Sequence, residues 1–132
     1  MKFDIESLEA ARSNTFDLVV GQTDDAQPVG FRLVGPASEQ YQAVRREIEA
    51  MDVRDYASRQ DIAENPHAVV DGASRRRDML IEACVVDWFG FTIGGKPAEF
   101  NVENLRRVFK AAPQWRERVA VEIEREGNFI AG

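Results

Sequence analysis

The side chains able to do chemistry are few in this sequence, and they stand apart from one another. The one histidine, His67, follows Pro66 with no cysteine or second histidine near it. A zinc site would need carboxylates to complete the ligand set, and no spacing along the chain supplies them. The one cysteine, Cys84, lies within an apolar run, where a thiol acts as a small buried hydrophobe. A nucleophilic thiol needs an activating base, and on a continuous helix His67 would be about four to five turns away. Gly94-Gly95-Lys96 has the flavour of a phosphate loop. A true one needs a longer glycine spacing and a Ser or Thr after the lysine; here Pro97 follows, so the dipeptide reads as a hairpin turn.

Two charged groupings invite further readings. Arg75-Arg76-Arg77 is the one local basic run. It suits an acidic partner or a phosphate backbone, or else a solvated helix face on which Asp71 and Arg75 pair one turn apart. Glu117, Glu122, Glu124 and Glu126 crowd the last predicted helix. Paired carboxylates can do acid–base work, but nothing in the spacing buries two of them together, and on an exposed helix they solvate it. No catalytic, cofactor-binding or metal-binding residue set emerges, so the chain reads as a non-enzyme.

The remaining sequence must therefore be read for shape. Its 132 residues suit one domain. Apolar residues make up 44%, with eight Phe and two Trp, enough to build a core. Seventeen basic and 23 acidic side chains give a formal charge of −6, which disfavours nucleic acid and anionic membrane surfaces as partners. A single cysteine permits no internal disulfide, and a reducing compartment follows. No stretch approaches the ~20 apolar residues of a membrane helix. The first ten residues alternate charged and apolar types, without a signal peptide's apolar run. These features predict a cytosolic protein.

Residues 1–13 can form a short helix or a flexible arm. Residues 15–20 and 29–34 are rich in β-branched and aromatic types, with turn chemistry between them, and predict a β-hairpin. Two strands alone are marginal, so another element must cover one face. Pro36 suits the first turn of a helix over about 36–57. Tyr41, Val44, Ile48 and Met51 recur along it at spacings of three and four, the mark of a buried stripe. Residues 58–66 are polar and end in Asn65-Pro66, which predicts a break. A second helix then runs to Trp88, starting nearer Asp71 because Gly72 weakens its first turns by about 1 kcal/mol. Met79, Leu80, Ile81, Ala83, Cys84, Val85 and Val86 make it apolar nearly all round, as a central helix would be. Asn101 is a good N-cap for a helix over about 102–111, with Val102, Leu105, Val108 and Phe109 on its apolar side. Pro113 starts a last helix bearing Trp115, Val119 and Ile123, and Gly127-Asn128 stops it. The expected fold is mainly α (α+β): an N-terminal β-hairpin followed by about four helices in one compact domain.

The C-terminal half carries a resemblance. Trp88, Gly90, Lys96-Pro97, Phe100, Glu103-Asn104 and Pro113 stand in the order found in the tail assembly chaperones of long-tailed bacteriophages. In that group an apolar helix runs into a W-x-G element, followed by a Gly/Lys/Pro turn and a helix opening with F-(S/T/N)-x-E-N. The N-terminal half resembles it too, with a hairpin and then V-G-P-x-S, here Val34-Gly35-Pro36-Ala37-Ser38. The one departure is Phe89, where a more polar residue is usual.

The resemblance implies a partner, the tape measure protein, whose apolar helical faces such chaperones cover before the tail tube polymerises. It further implies contact with the tail tube protein, self-association, no cofactor, residence in the bacterial host cytoplasm, and a longer isoform made by frameshifting. Helix-in-groove recognition is the corresponding mechanism. Trp88, Phe89, Phe91, Leu105, Phe109 and Trp115 are the candidate groove residues, because aromatic anchors dominate contact energies. Two other readings fit the composition: a structural phage subunit such as a head–tail connector or tail terminator, and an acidic inhibitor-type binding protein.

Overall fold

The computed structural model describes residues 4–57 and 67–130. A short helix α1 (Ile5–Ala10) leads into strand β1 (Thr15–Gln22) and strand β2 (Pro28–Val34). These form the expected hairpin, with Leu18 opposite Phe31 and Asp17 opposite Arg32. Two long helices follow, α2 (Glu39–Ala57) and α3 (His67–Cys84). Strand β3 (Val85–Phe89) comes next, and then a two-residue pair, β4 (Thr92–Ile93) and β5 (Lys96–Pro97). Helices α4 (Val102–Ala111) and α5 (Pro113–Ile123) and a 3-10 turn (Glu126–Asn128) complete the chain. The fold is α+β, with helices interleaved between strands rather than gathered after a hairpin.

The largest departure from expectation is β3. The apolar run was expected to stay helical to Trp88. Instead the helix ends at Cys84, and Val85 to Phe89 form an antiparallel third strand on β2. Valine and aromatic residues fit a pleated surface well, and the open edge of β2 offers the backbone partners that a bare hairpin lacks. The sheet order is β1-β2-β3. Helix α3 is consequently not buried all round: Ile81 and Cys84 are enclosed, while Met79, Leu80 and Ala83 are half-buried. It also begins at His67 rather than near Asp71, since a long helix tolerates one glycine. The polar stretch ending at Pro66, the His67 side chain and the Asp71–Arg75 pair lie outside the described residues.

Pro36 was expected inside the first turn of α2, but it sits in a turn ahead of the helix, and Ser38 caps it. The Ser38 hydroxyl donates to the Gly35 carbonyl at 2.6 Å and accepts from the Tyr41 amide at 3.1 Å. The serine is fully buried, so its hydroxyl answers an otherwise orphaned helix donor. Residues Val44, Ile48 and Met51 are half-buried, as the stripe requires.

One face of the sheet carries the core. Phe31, Leu33 and Leu18 point to it, and Ile81, Leu105, Val119 and Ile123 close over them. The other face bears a row of charge, with Arg32 between Asp17 and Asp87 at 3.0 and 3.9 Å. At the chain's end Phe129 is only 3% exposed, and its ring fills the space beside Gly35. The Asn14 side-chain amide donates to the Phe129 carbonyl at 2.7 Å, tying the stretch after α1 to the C-terminus.

Candidate functional site

Strand alternation decides which aromatics meet. In β3, Trp88 lies opposite Phe31 and so faces the core. The turn after Gly90 returns Phe91 to the same side. Gly90 has φ +85, which an L side chain rarely adopts, and a Cβ there would approach Val29. The Trp88 and Phe91 ring centroids are 4.7 Å apart, Phe31 and Phe91 5.2 Å, and Phe31 and Phe109 5.4 Å. Phe100 stands edge-on to Trp88 at 5.4 Å, and Trp115 stands edge-on to Phe91 at 6.1 Å. Offset and edge-on arrangements of this kind are favoured by the ring quadrupoles. The Trp88 indole N–H donates to the Ala98 carbonyl at 3.0 Å, which fixes the ring without burying an unmet donor.

Four of the six candidate groove residues, Trp88, Phe91, Phe109 and Trp115, therefore form one cluster. The other two do not join its surface. Leu105 is completely enclosed in the core below it. Phe89, one residue from Trp88, falls on the opposite face of the sheet, where its ring lies over Gly30.

The cluster opens to solvent through a cleft of about 310 Å³ between the β4–β5 hairpin and α4. Gly94 and Gly95, with φ 59 and 81, make the tight turn of the hairpin. The Ala98 amide donates to the Phe91 carbonyl at 2.9 Å and holds the hairpin against the cluster. Trp88, Phe91 and Val108 form the cleft's apolar wall, and Ile93, 45% exposed, stands at its mouth. On α4, Asn101 caps as expected, accepting from the Asn104 amide at 2.8 Å. The Asn104 side chain in turn donates to the Glu99 carbonyl at 2.9 Å. Those bonds fix the first turn of α4, from which Asn104, Arg107, Val108 and Ala111 face the cleft. Sequence reasoning placed Val108 on the apolar side of this helix but missed Ile93 and Arg107. A β-branched residue immediately before Gly-Gly was the available signal for Ile93.

The groups first considered for chemistry are placed elsewhere. Cys84 is fully buried, and desolvation followed by the nearby charge of Glu124 pushes its thiol up to about 12, so it stays protonated. Two members of the arginine run tie helices together: Arg76 reaches Asp52 of α2 at 2.8 Å, and Arg77 pairs with Glu117 of α5. Arg75 is exposed. Glu122 holds Arg125 and Asn128, and Glu124 accepts from the Tyr41 hydroxyl at 2.9 Å. Among the described residues, no group of three or more His, Cys, Asp or Glu converges as metal ligands do. No described helix is long and apolar enough to cross a membrane.

The arrangement offers apolar contact, one aromatic wall and a few polar groups on a rim, which is equipment for binding. Comparisons with family models, with curated proteins and with solved structures find no match for this chain.

Proposed function

We propose that this chain is a binding protein of the tail assembly chaperone kind, acting in the bacterial host cytoplasm. It covers an apolar helical face of the tape measure protein until the tail tube is built. One observation carries the reading: Trp88 and Phe91, the latter edge-on to Trp115, form the wall of an apolar cleft with the exposed Ile93 at its mouth. Amphipathic helices lay apolar anchors into grooves of this composition. A shallow site with few deep contacts gives moderate affinity, which suits a partner that must later be released. The order of Trp88, Gly90, Lys96-Pro97, Phe100, Glu103-Asn104 and Pro113 supports the same reading by resemblance.

Co-expression with the tape measure protein encoded alongside it, followed by affinity purification, tests the proposal. The expected result is a tape measure protein that becomes soluble and co-purifies, and that is lost with Phe91→Ala or Ile93→Asp. A tape measure protein that stays insoluble, beside a chain that purifies alone as a closed ring, would replace this reading with that of a structural subunit.

A further inference from the structure

From the cleft's charge we infer the chemistry of its occupant: an amphipathic helix that places a carboxylate against Arg107 while its apolar residues rest on Trp88, Phe91 and Ile93. This rests on the cleft being the partner site, and it goes further by specifying what the partner must carry.

Arg107 is the one charged side chain lining the cleft, and it makes no ion pair among the described residues. Its neighbours differ. On the same helix Arg106 forks onto Glu82 at 2.6 and 3.1 Å. On α5 Arg116 holds Asp78 at 2.8 Å through Nε and Glu117 at 3.1 Å. These pairs occupy the nearby carboxylates of α3 and α5. Glu103, one turn before Arg107, forms no pair with it.

A second groove, of about 410 Å³ between α3 and α5, is also apolar, with Leu80 and Val121 on its walls. Its rim charges are already engaged, Arg77 with Glu117 and Glu124 with Tyr41. It therefore lacks the unmet polar group that would select a partner. At the hairpin cleft the situation is reversed. A guanidinium cannot shed its charge, and a docked helix would strip water from it. A carboxylate on that helix meets the planar donor fork with two charge-assisted hydrogen bonds, whereas an amide oxygen offers only a weaker neutral acceptor and an ammonium is repelled. The whole chain carries −6, so the acidic partner is selected by this local guanidinium and not by long-range attraction.

The experiment measures fluorescence anisotropy with the full chain and labelled amphipathic peptides of about five helical turns. Leu and Phe fill their apolar stripe, and each border position in turn carries Glu, Gln or Lys. The expected result is one border position at which Glu binds about tenfold tighter than Gln, with Lys weakest. Arg107→Gln removes that preference and Arg107→Glu reverses it in favour of Lys, while circular dichroism shows both variants folded. If Glu, Gln and Lys peptides bind alike at every position, yet Ile93→Asp abolishes all binding, the acidic preference is overturned and the cleft stands. If no peptide binds, or Ile93→Asp changes nothing, the cleft itself fails as the partner site.

Discussion

The two ends of the sheet's buried face are finished differently. At one, the exit of β2, the start of α2, the end of α5 and the C-terminal turn close on each other. Gly35 gives the Phe129 ring its space, Ser38 satisfies the first turn of α2, and Tyr41 donates to Glu124. The buried donors there are answered within the fold, and the apolar volume left over is a small hollow of about 190 Å³ between Leu8, Pro36 and Phe129. At the other end, Phe91, Phe100 and Trp115 are half-buried, Ile93 is exposed, and Arg107 has no counter-ion among the described residues. A fold gains nothing from leaving aromatic area wet and a guanidinium unmatched at one site. On the proposed reading, the contrast separates residues that hold the structure from residues that meet a partner.

The contrast is broken or sharpened most strongly by removing comparable apolar volume from each side of it. Leu105→Ala empties a fully enclosed position in the core beneath α4. Its stability should fall by about 3 kcal/mol, read as a lower urea midpoint at unchanged slope. Ile93→Ser at the cleft mouth should change stability by less than about 0.5 kcal/mol and yet remove partner binding. Equal losses of stability at the two positions would mean that the cleft belongs to the core.

The next effect is steric and belongs to the closed end. A Cβ at Gly35 would run into the buried Phe129 ring, which would have to shift to admit it. Gly35→Ala should cost about 2 kcal/mol, and Gly35→Ala combined with Phe129→Leu should cost less than the sum of the two single changes. Calorimetric midpoints of the four chains complete that cycle. Strict additivity would show that the two residues do not press on each other.

Ser38→Ala follows, at about 1 kcal/mol. It removes an N-cap acceptor from the Tyr41 amide and a donor from the Gly35 carbonyl within a dry site. Ser38→Thr and Ser38→Asp should differ sharply, because a carboxylate cannot donate to Gly35 and is costly to bury. Chemical denaturation of the three variants gives the ranking. A neutral Ser38→Ala would place the cap outside the closed end's stabilising set.

How much of this was visible beforehand depends on whether local pattern or a distant partner fixes the residue. The hairpin at residues 15–20 and 29–34, the stripe from Tyr41 to Met51, the Asn101 cap and the Pro113 start all rest on local chemistry, and the structure shows each of them. The run from Met79 to Val86 has no period to separate helix from strand. What ends the helix at Cys84 is the free edge of β2, some fifty residues upstream, and the sequence does not display that pairing. The same miss misplaced Phe89: read as the start of a turn after the helix it could join Trp88, whereas as the last residue of β3 it faces the other way. Around the cleft, the aromatics were visible as a composition, while Arg107 mattered only once the neighbouring arginines could be seen with their carboxylates.

The smallest expected effect is on the alkaline side of the stability profile, and it belongs wholly to the closed end. Burial, and then the hydrogen bond to Glu124, push the Tyr41 phenol up to about 12. Burial likewise pushes the Cys84 thiol up to about 12. Both groups are neutral when protonated, and both hold their protons more tightly folded than unfolded. Their stabilising contribution is therefore complete below the unfolded values, 9.0 for the thiol and 10.0 for the phenol, and drains away as pH rises toward 12. The urea midpoint should be level from neutral pH to about 9 and then decline. Tyr41→Phe should lower the neutral plateau by about 1 kcal/mol through the lost hydrogen bond and soften the decline. Cys84→Ala softens its earlier part. Arg107→Gln at the open end should leave the shape of the profile unchanged, since it touches neither Tyr41 nor Cys84. A decline that survives in the Tyr41→Phe, Cys84→Ala double variant would assign the alkaline limb to groups outside this junction.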